Sequence, residues 1–175
     1  MALQGAAYRS IYAYIKRQEE TKIAVLADTS NAAACNCLAL RQAARHVTQF
    51  YDQFLAPRGL RATQYSILAR LQRKGPMTIN RLAAALVMDR TTLGRNILPL
   101  QRDGLIAMGP GKSDRRSKEL RLTNAGAARF RAALKAWRQA QARFEAAFGV
   151  KRAKELRALL HEVATIEQTA AAGPA

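Results

Sequence analysis

The fold is decided by residues 89–126, which read DRTTLGRNILPLQRDGLIAMGPGKSDRRSKELRLTNAG. Asp89 is a residue type that caps helix N-termini, and Gly104 is the type that ends helices. At about 100° per residue, three apolar side chains between them share one face of a helix, namely Leu93, Ile97 and Leu100. The first half of the stretch therefore predicts an amphipathic helix, in which Pro99 predicts a bend or early fraying.

The second half of the stretch changes from a helical to an extended hydrophobic pattern. Residues 105–108 (LIAM) are a strand candidate, and residues 109–111 (GPG) have the composition of a turn. Residues 112–116 (KSDRR) are polar and basic, and residues 118–122 (KELRL) alternate as a returning strand does. The pattern predicts a β-hairpin with a basic tip directly after the helix.

Three helices are predicted upstream of this stretch. The first begins at Cys37 and stops before Pro57, while Thr63 and Thr78 are placed to cap the next two. The second of the three ends at residues 74–76 (KGP), a strong helix-stop signal. The apolar stripe of the first helix consists of Leu40, Ala43, Ala44, Val47, Phe50, Tyr51 and Phe54.

Two further helices are predicted downstream. Thr123 is placed to cap a long helix that Gly149 breaks, and a last helix follows. The outer helices at both ends carry more apolar stripe than the small centre of the fold can cover. Pairing with a second copy of the chain would bury these stripes, so we expect a homodimer.

The charge of the chain points to a polyanionic partner. Lys and Arg outnumber Asp and Glu by 29 to 12, which gives a net charge of +17 spread through the whole sequence. A field of this sign attracts nucleic acid or an anionic lipid surface. No apolar run is long enough to span a bilayer and no export signal is visible, so we expect a cytoplasmic, nucleoid-associated protein without a membrane partner.

Enzyme chemistry finds little support in the sequence. His46 and His161 are far apart and neither has a second histidine at helical spacing, so we expect no metal site. No phosphate-binding glycine loop or nucleophile-elbow motif occurs. We therefore expect neither an enzyme nor a cofactor.

One face of the helix after Asp89 has the residue types that read DNA. Thr91, Thr92 and Arg95 fall opposite the apolar face, with Arg90 on a flank. Arginine can bind guanine O6 and N7 together, and threonine can contact a phosphate or a thymine methyl group. An ordinary solvated polar face is the alternative, and the basic hairpin that follows favours DNA.

The basic tip is the second candidate DNA contact. A hairpin can lower an arginine into a narrow minor groove, where the negative potential is strongest. Asp114 could hold Arg116 in position through a bidentate ion pair, and Lys112 and Arg115 add charge beside it. A solvated charged loop is the alternative.

The segment from Ala83 to Gly126 resembles the winged-helix core of the multiple-antibiotic-resistance regulator (MarR) family. That family has an Asp-x-Arg motif in its wing, matched here by Asp114 and Arg116. A Leu-Thr-x-x-Gly motif opens its next helix, matched here by Leu122, Thr123 and Gly126. The resemblance extends from about residue 35 to 165. It implies a dimer joined through the first and last helices, a pseudo-palindromic operator in double-stranded DNA, and a small ligand or oxidant that relieves repression.

The predicted fold class is therefore mainly α with a small β-hairpin wing, a winged helix-turn-helix with long terminal dimerisation helices. Residues 1–30 form an N-terminal extension, either frayed or a short helix. Residues 61–122 form the DNA-binding domain. The helical dimerisation region consists of residues 31–60 and 123–172.

The sequence leaves two possible mechanisms that would release the protein from DNA. Cys37 opens the first long helix, a position that favours a reactive thiolate. The resemblance places it where one branch of the family senses organic hydroperoxides, with Tyr51 as a supporting tyrosine but Ala62 in place of the second. A small apolar cysteine at the dimer interface is the alternative. The other switch is an aromatic or anionic effector, for which we expect walls from Tyr51, Phe54 and Tyr65.

Two other functions compete with a sequence-specific repressor. The first is a sequence-neutral architectural DNA-binding protein, in which charge supplies nearly all the affinity. The second is a basic membrane-surface protein that would use the amphipathic residues within 1–30.

Overall fold

The computed structural model describes residues 34–111 and 116–166. Its elements are α1 (Asn36–Leu55), a 3₁₀-helix (Ala56–Arg58), α2 (Ala62–Lys74), β1 (Met77–Thr78), α3 (Ile79–Leu86), α4 (Arg90–Arg102), β2 (Ile106–Pro110), β3 (Lys118–Leu122), α5 (Asn124–Phe148) and α6 (Val150–Val163). The fold class is as predicted, mostly helical with a small antiparallel sheet. The predictions for residues 1–30, for Lys112, Asp114 and Arg115, and for the end of the chain after residue 166 lie outside the described residues.

The chain divides into two units, Met1–Val47 and Thr48–Ala175. In the first unit the described residues 34–47 form a 3₁₀ position and the first part of α1, and their side chains are exposed except for half-buried Val47. The predicted stripe residues Leu40, Ala43 and Ala44 are therefore uncovered in the single chain.

The hydrophobic core lies in the second unit. It is formed by leucine and isoleucine side chains from α2, α3, α4 and β3, together with the end of α1. Burying one such side chain stabilises the fold by about 1.5–3 kcal/mol. The largest fully buried side chains are Leu55, Leu60, Ile67, Leu68, Leu71, Leu82, Leu93, Ile97, Leu100 and Leu120.

Three of the predicted helix caps are confirmed. The side chains of Thr78, Asp89 and Thr123 each accept a hydrogen bond from a backbone N–H in the first turn of α3, α4 and α5, respectively. Each cap satisfies an amide that the helix itself leaves unpaired. Gly149 ends α5 as predicted.

The predicted cap of α2 is wrong. The helix begins at Ala62, with Arg61 at the N-cap, so Thr63 lies inside the first turn. Asp52, ten residues upstream, accepts a hydrogen bond from the Ala62 N–H (2.6 Å) and pairs with the Arg61 guanidinium (3.2 Å). The Gln64 side chain accepts from the Arg61 N–H at 2.9 Å. A distant carboxylate therefore supplies the acceptor that Thr63 was expected to supply.

The hairpin is longer than the sequence predicted. Strand β2 continues through Gly109 and Pro110, which pair with Glu119 and Lys118, so the predicted turn at these positions is wrong. Proline is tolerated here because β2 is an edge strand of the sheet, so its missing N–H need not serve a second neighbouring strand. The chain leaves the sheet at Gly111, whose N–H donates to the Ser117 carbonyl at 2.8 Å.

A third strand was missed. The two residues of β1 pair with β3, Met77 opposite Leu120 and Thr78 opposite Glu119. Two residues are too few to show an alternating pattern, so the strand has no signal of its own. Its pairing joins the start of α3 to the base of the hairpin.

Helix α4 runs past Pro99 to Arg102, so the predicted early fraying is wrong. Its preceding turn contains an unusual residue: Val87 has φ 51° and ψ 49°, the left-handed conformation, and is 78% exposed. The Met88 N–H donates to the Ala83 carbonyl (2.9 Å) across this turn. Among the described residues, no helix combines the length and apolar character that a membrane span requires.

Candidate nucleic-acid interface

Helix α4 is held against the core by its apolar face. Leu93, Ile97 and Leu100 are each at most 2% exposed, and the helix packs against α2, α3 and β2. At its start, the Asp89 carboxylate accepts from the Thr92 N–H at 2.7 Å. Hydrogen bonds from Thr92, through its side chain and its backbone, hold the pKa of Asp89 below its usual value. The first turn of α4 is thereby fixed in a defined position.

The opposite face of α4 is turned away from the protein. Arg90, Thr91, Thr92 and Arg95 are all exposed, as the sequence predicted. The helix is therefore presented as a recognition helix is, with its first turns accessible to a groove. That these side chains contact DNA stays a prediction.

A basic recess lies between the start of α4 and the base of the hairpin. It is a cavity of about 370 Å³ whose polar walls include three cationic side chains. Of the predicted contacts, Arg90 and Arg116 line it together, although they are far apart in sequence. Its lining is Thr78, Ile79, Asn80, Arg90, Met108, Arg116, Ser117 and Lys118.

Sequence reasoning missed part of this interface. Thr78 and Asn80 reach the recess because β1 pairs with β3, and that pairing has no local signal. Lys118 could have been found, since it starts the predicted returning strand. Leu98 and Arg102 were also missed: both are exposed, and both share the face of Thr91 at helical spacing.

The comparisons with known proteins agree with this geometry. A sequence profile of the MarR family matches residues 60–118. The M. tuberculosis transcriptional regulator MosR has 37% sequence identity over 74% of this chain and 95% of its own, with a TM-score of 0.64. This chain belongs to the MarR family. Its relatives are transcriptional regulators and not enzymes.

Relatives of this kind have been solved in complex with DNA. MosR of M. tuberculosis in complex with DNA has 37% identity and a TM-score of 0.61, covering 75% of this MarR-family chain and 99% of the other. The repressor CouR bound to a 23-mer DNA duplex has 25% identity and a TM-score of 0.69, covering 77% and 95%. Among curated protein sequences no relative matches.

The MarR-family chain also has an aromatic groove, a cavity of about 450 Å³ between α2 and α5. Tyr65 is stacked between Phe130 (5.2 Å between ring centroids) and Trp137 (6.0 Å). The remaining lining is Ser66, Ala69, Arg70, Arg73, Leu86 and Leu134. The Arg70 guanidinium, at one wall, donates to the Ala85 carbonyl at 2.8 Å, near the end of α3.

Of the three residues predicted to wall an effector site, only Tyr65 lines this groove. Tyr51 instead donates its hydroxyl proton to the Gln141 side chain at 2.6 Å, and Phe54 packs against Phe50 with ring centroids 5.4 Å apart. Burial and the Glu145 carboxylate raise the pKa of Tyr51. In this groove the structure therefore places only Tyr65 of the three, and an effector site walled by Tyr51 and Phe54 stays a prediction.

Both cysteines are free and exposed. Helix α1 begins at Asn36, one residue before Cys37, so the predicted start is nearly correct. The sulfur that accepts a first-turn amide is that of Cys35, 3.4 Å from the Leu38 N–H. No group of three or more metal-ligating side chains occurs among the residues that the structure describes.

Proposed function

We propose that this MarR-family chain is a dimeric, sequence-specific DNA-binding repressor, released by a small effector or by thiol oxidation. The observation that carries the proposal is the exposed face of α4, with Thr91 and Arg95 uncovered, beside the basic recess. An arginine on a helix in the major groove specifies a base, whereas cations at the hairpin base bind phosphate. Relatives solved with DNA support the same partner for this chain.

Electrostatics supports a strong and salt-dependent DNA interaction. The chain has a net charge of +17, and the recess brings together Arg90, Arg116 and Lys118. Each phosphate neutralised releases condensed counterions, so affinity falls steeply as salt rises. The beginning of α4 positions the protein and its outer face reads the sequence.

Dimerisation through the outer helices is supported by the apolar surface of α6. Leu159, Leu160 and Val163 are 59%, 42% and 45% exposed, and Val163 lies four and three residues after the two leucines, on the same side of the helix. Leu38 and Leu40 on α1 are likewise 41% and 39% exposed. A second copy of the chain would cover these surfaces. Residues 31–60 and 123–172 then serve dimerisation, and residues 61–122 bind DNA with the two copies of α4 about 34–36 Å apart.

The aromatic groove supports an aromatic, anionic effector. Tyr65 and Trp137 offer ring faces, and Arg70 and Arg73 offer positive charge at the wall. A carboxylate in the groove would compete with the Ala85 carbonyl for Arg70. Because that carbonyl is near the end of α3, occupation of the groove would alter how α3 is tied to α2, and with it the position of α4.

Thiol oxidation is the second release mechanism. Both Cys35 and Cys37 are exposed, so an oxidant can reach them. Organic hydroperoxide should then weaken operator binding by the wild type but not by Cys37→Ser. Binding that is indifferent to peroxide in both proteins would remove this mechanism and leave the effector groove.

The test of the main proposal compares two DNA duplexes in a gel shift at physiological salt. One is the upstream region of the gene, and the other is the same length of scrambled sequence. We expect the wild type to prefer the upstream region, Arg95→Ala to lose that preference, and Arg116→Ala to weaken binding to both duplexes. Arg131→Ala is the matched control, since it also removes one exposed positive charge and lines neither the recess nor the groove.

The sequence-neutral architectural protein is the competing function, favoured only by the overall charge. It predicts equal binding to both duplexes and equal losses for Arg95→Ala and Arg131→Ala. A preference of the wild type near unity would therefore overturn the repressor proposal.

A further inference from the structure

Leu98 is an exposed leucine on the helix that we propose enters the major groove. Its relative exposure is 64%, whereas the adjacent Ile97 is 2% exposed. Burial of large apolar side chains is the main stabilising term of the fold, and Leu98 contributes little to it. The side chain is therefore not explained by packing within the chain.

The helix places Leu98 in line with the proposed base-reading residues. At about 100° per residue, Leu98 is about 20° from Thr91 and about 60° from Arg95 around the axis of α4. With a rise of about 1.5 Å per residue, it is about 10 Å beyond Thr91 along that axis. All three side chains thus fit within one passage of a helix through a groove about 12 Å wide.

The charges around Leu98 indicate which surface covers it. Arg95 precedes it by three residues and Arg102 follows it by four, so both are neighbours on the helix surface. The Arg102 side chain is 80% exposed and pairs with the carboxylate of the adjacent Asp103 at 3.4 Å. Two exposed arginines on either side of an apolar side chain favour a polyanion that presents an apolar group. A second copy of this chain is disfavoured as the partner, because its net charge of +17 would repel these arginines.

We infer that Leu98 is a specificity-determining residue that packs on the C5-methyl group of a thymine. This methyl is the only apolar group that a base pair presents in the major groove. The inference rests on the proposed function, because it assumes that α4 enters the groove. It predicts a preferred A·T pair in each half-site, about one or two base pairs from the guanine that Arg95 reads, given about 3.4 Å per base pair.

The experiment first selects, with the wild-type protein, a preferred duplex from a pool of random sequences. Each thymine of that duplex is then replaced singly, in both half-sites, by deoxyuridine, which lacks only the methyl group. Affinities are measured for the wild type, for Leu98→Ala and for the conservative variant Leu98→Met. The deoxyuridine substitution leaves hydrogen bonding and charge unchanged, so it isolates the methyl contact.

At one thymine per half-site, deoxyuridine should weaken wild-type binding by about fourfold per site, the factor that corresponds to ~0.8 kcal/mol for one buried methyl group. Leu98→Ala should be insensitive at that position and keep the wild-type response at every other thymine. Leu98→Met, which is still apolar and long, should retain most of the wild-type sensitivity.

Each other outcome overturns a distinct claim. If Leu98→Ala responds to deoxyuridine as the wild type does at every position, or if the selected half-site contains no preferred thymine, the role of Leu98 is wrong and the repressor proposal stands. If no sequence is enriched in the selection, the proposed function itself fails. If the wild type is sensitive to deoxyuridine and both Leu98→Ala and Leu98→Met are not, the proposed apolar contact is also wrong, because methionine should preserve that contact.

Discussion

Replacing a glycine by alanine should have opposite effects on stability at two positions of this chain. Gly126 lies in the first turn of α5, where a Cβ atom would overlap the Leu105 carbonyl oxygen and come within 2.8 Å of Leu122 Cδ1. Gly94 lies inside α4, where a Cβ would meet nothing within 4 Å. The same added methyl group therefore meets backbone in one helix and open space in the other.

The expected magnitudes follow from these surroundings. The Leu105 carbonyl cannot move freely, because it accepts hydrogen bonds from the Thr123 N–H (3.1 Å) and hydroxyl (3.2 Å). Overpacking of this kind lowers the free energy of unfolding by about 1–3 kcal/mol. At Gly94 the better helix propensity of alanine should raise it by about 0.5–1 kcal/mol.

Both effects can be measured by thermal unfolding, monitored by circular dichroism. All variants are compared at one protein concentration, because the proposed dimer makes Tm concentration-dependent. With about 2–4 °C per kcal/mol for a chain of this size, Gly126→Ala should lower Tm by about 2–12 °C and Gly94→Ala should raise it by about 1–4 °C. A Gly126→Ala protein as stable as the wild type would refute the close approach of α5 to Leu105. A destabilised Gly94→Ala protein would refute the open environment on α4.

Three further predictions concern titratable and capping groups. Asp52→Ala should lower the free energy of unfolding by about 1 kcal/mol, because the first-turn amide of α2 loses its acceptor, and urea unfolding should show Asp52→Asn losing less. Hydrogen bonding to Thr92 lowers the pKa of Asp89, so this carboxylate stabilises the fold above the ordinary carboxyl pKa, and its contribution is lost as pH falls through the lower pKa of the folded state. In Asp89→Asn the free energy of unfolding should therefore fall less steeply at acid pH. An unchanged acid dependence would contradict the cap. Burial and Glu145 raise the pKa of Tyr51, so its contribution is present below pH ~10 and is lost as pH rises through the folded value. Ultraviolet titration, with Tyr51→Phe for subtraction, should show Tyr51 ionising at lower pH in Glu145→Gln than in the wild type.

The features that could be predicted from the sequence are those set by local chemistry. Thr78, Asp89 and Thr123 cap helices whose first-turn amides are a few residues away, so spacing alone identifies them. The exposed and buried faces of α4 follow from its period of 3.6 residues. These two local signals also locate α4, and the alternation of residues 118–122 locates the returning strand of the hairpin.

The features that were missed depend on contacts between distant parts of the chain. The α2 cap is supplied by Asp52, and β1 is defined only by its pairing with β3. The aromatic groove brings Tyr65 next to Trp137, 72 residues away by their numbering, so no spacing rule could list its walls. Periodicity indicates that an aromatic residue is on an inner face but not which other helix it meets there.

The turn between α3 and α4 has a consequence for the motion of α4. Glycine is the usual residue in the left-handed conformation that Val87 adopts, and a residue with a Cβ atom is less stable there by about 1–2 kcal/mol. Because its side chain is largely in solvent, packing does not offset that amount. Conformations in which Val87 leaves the left-handed region are therefore closer in free energy to the ground state than they would be with glycine at this position. The Met88 amide should then exchange with solvent faster in the wild type than in Val87→Gly. Helix α4 should also tilt relative to α3 more readily than a helix joined through glycine.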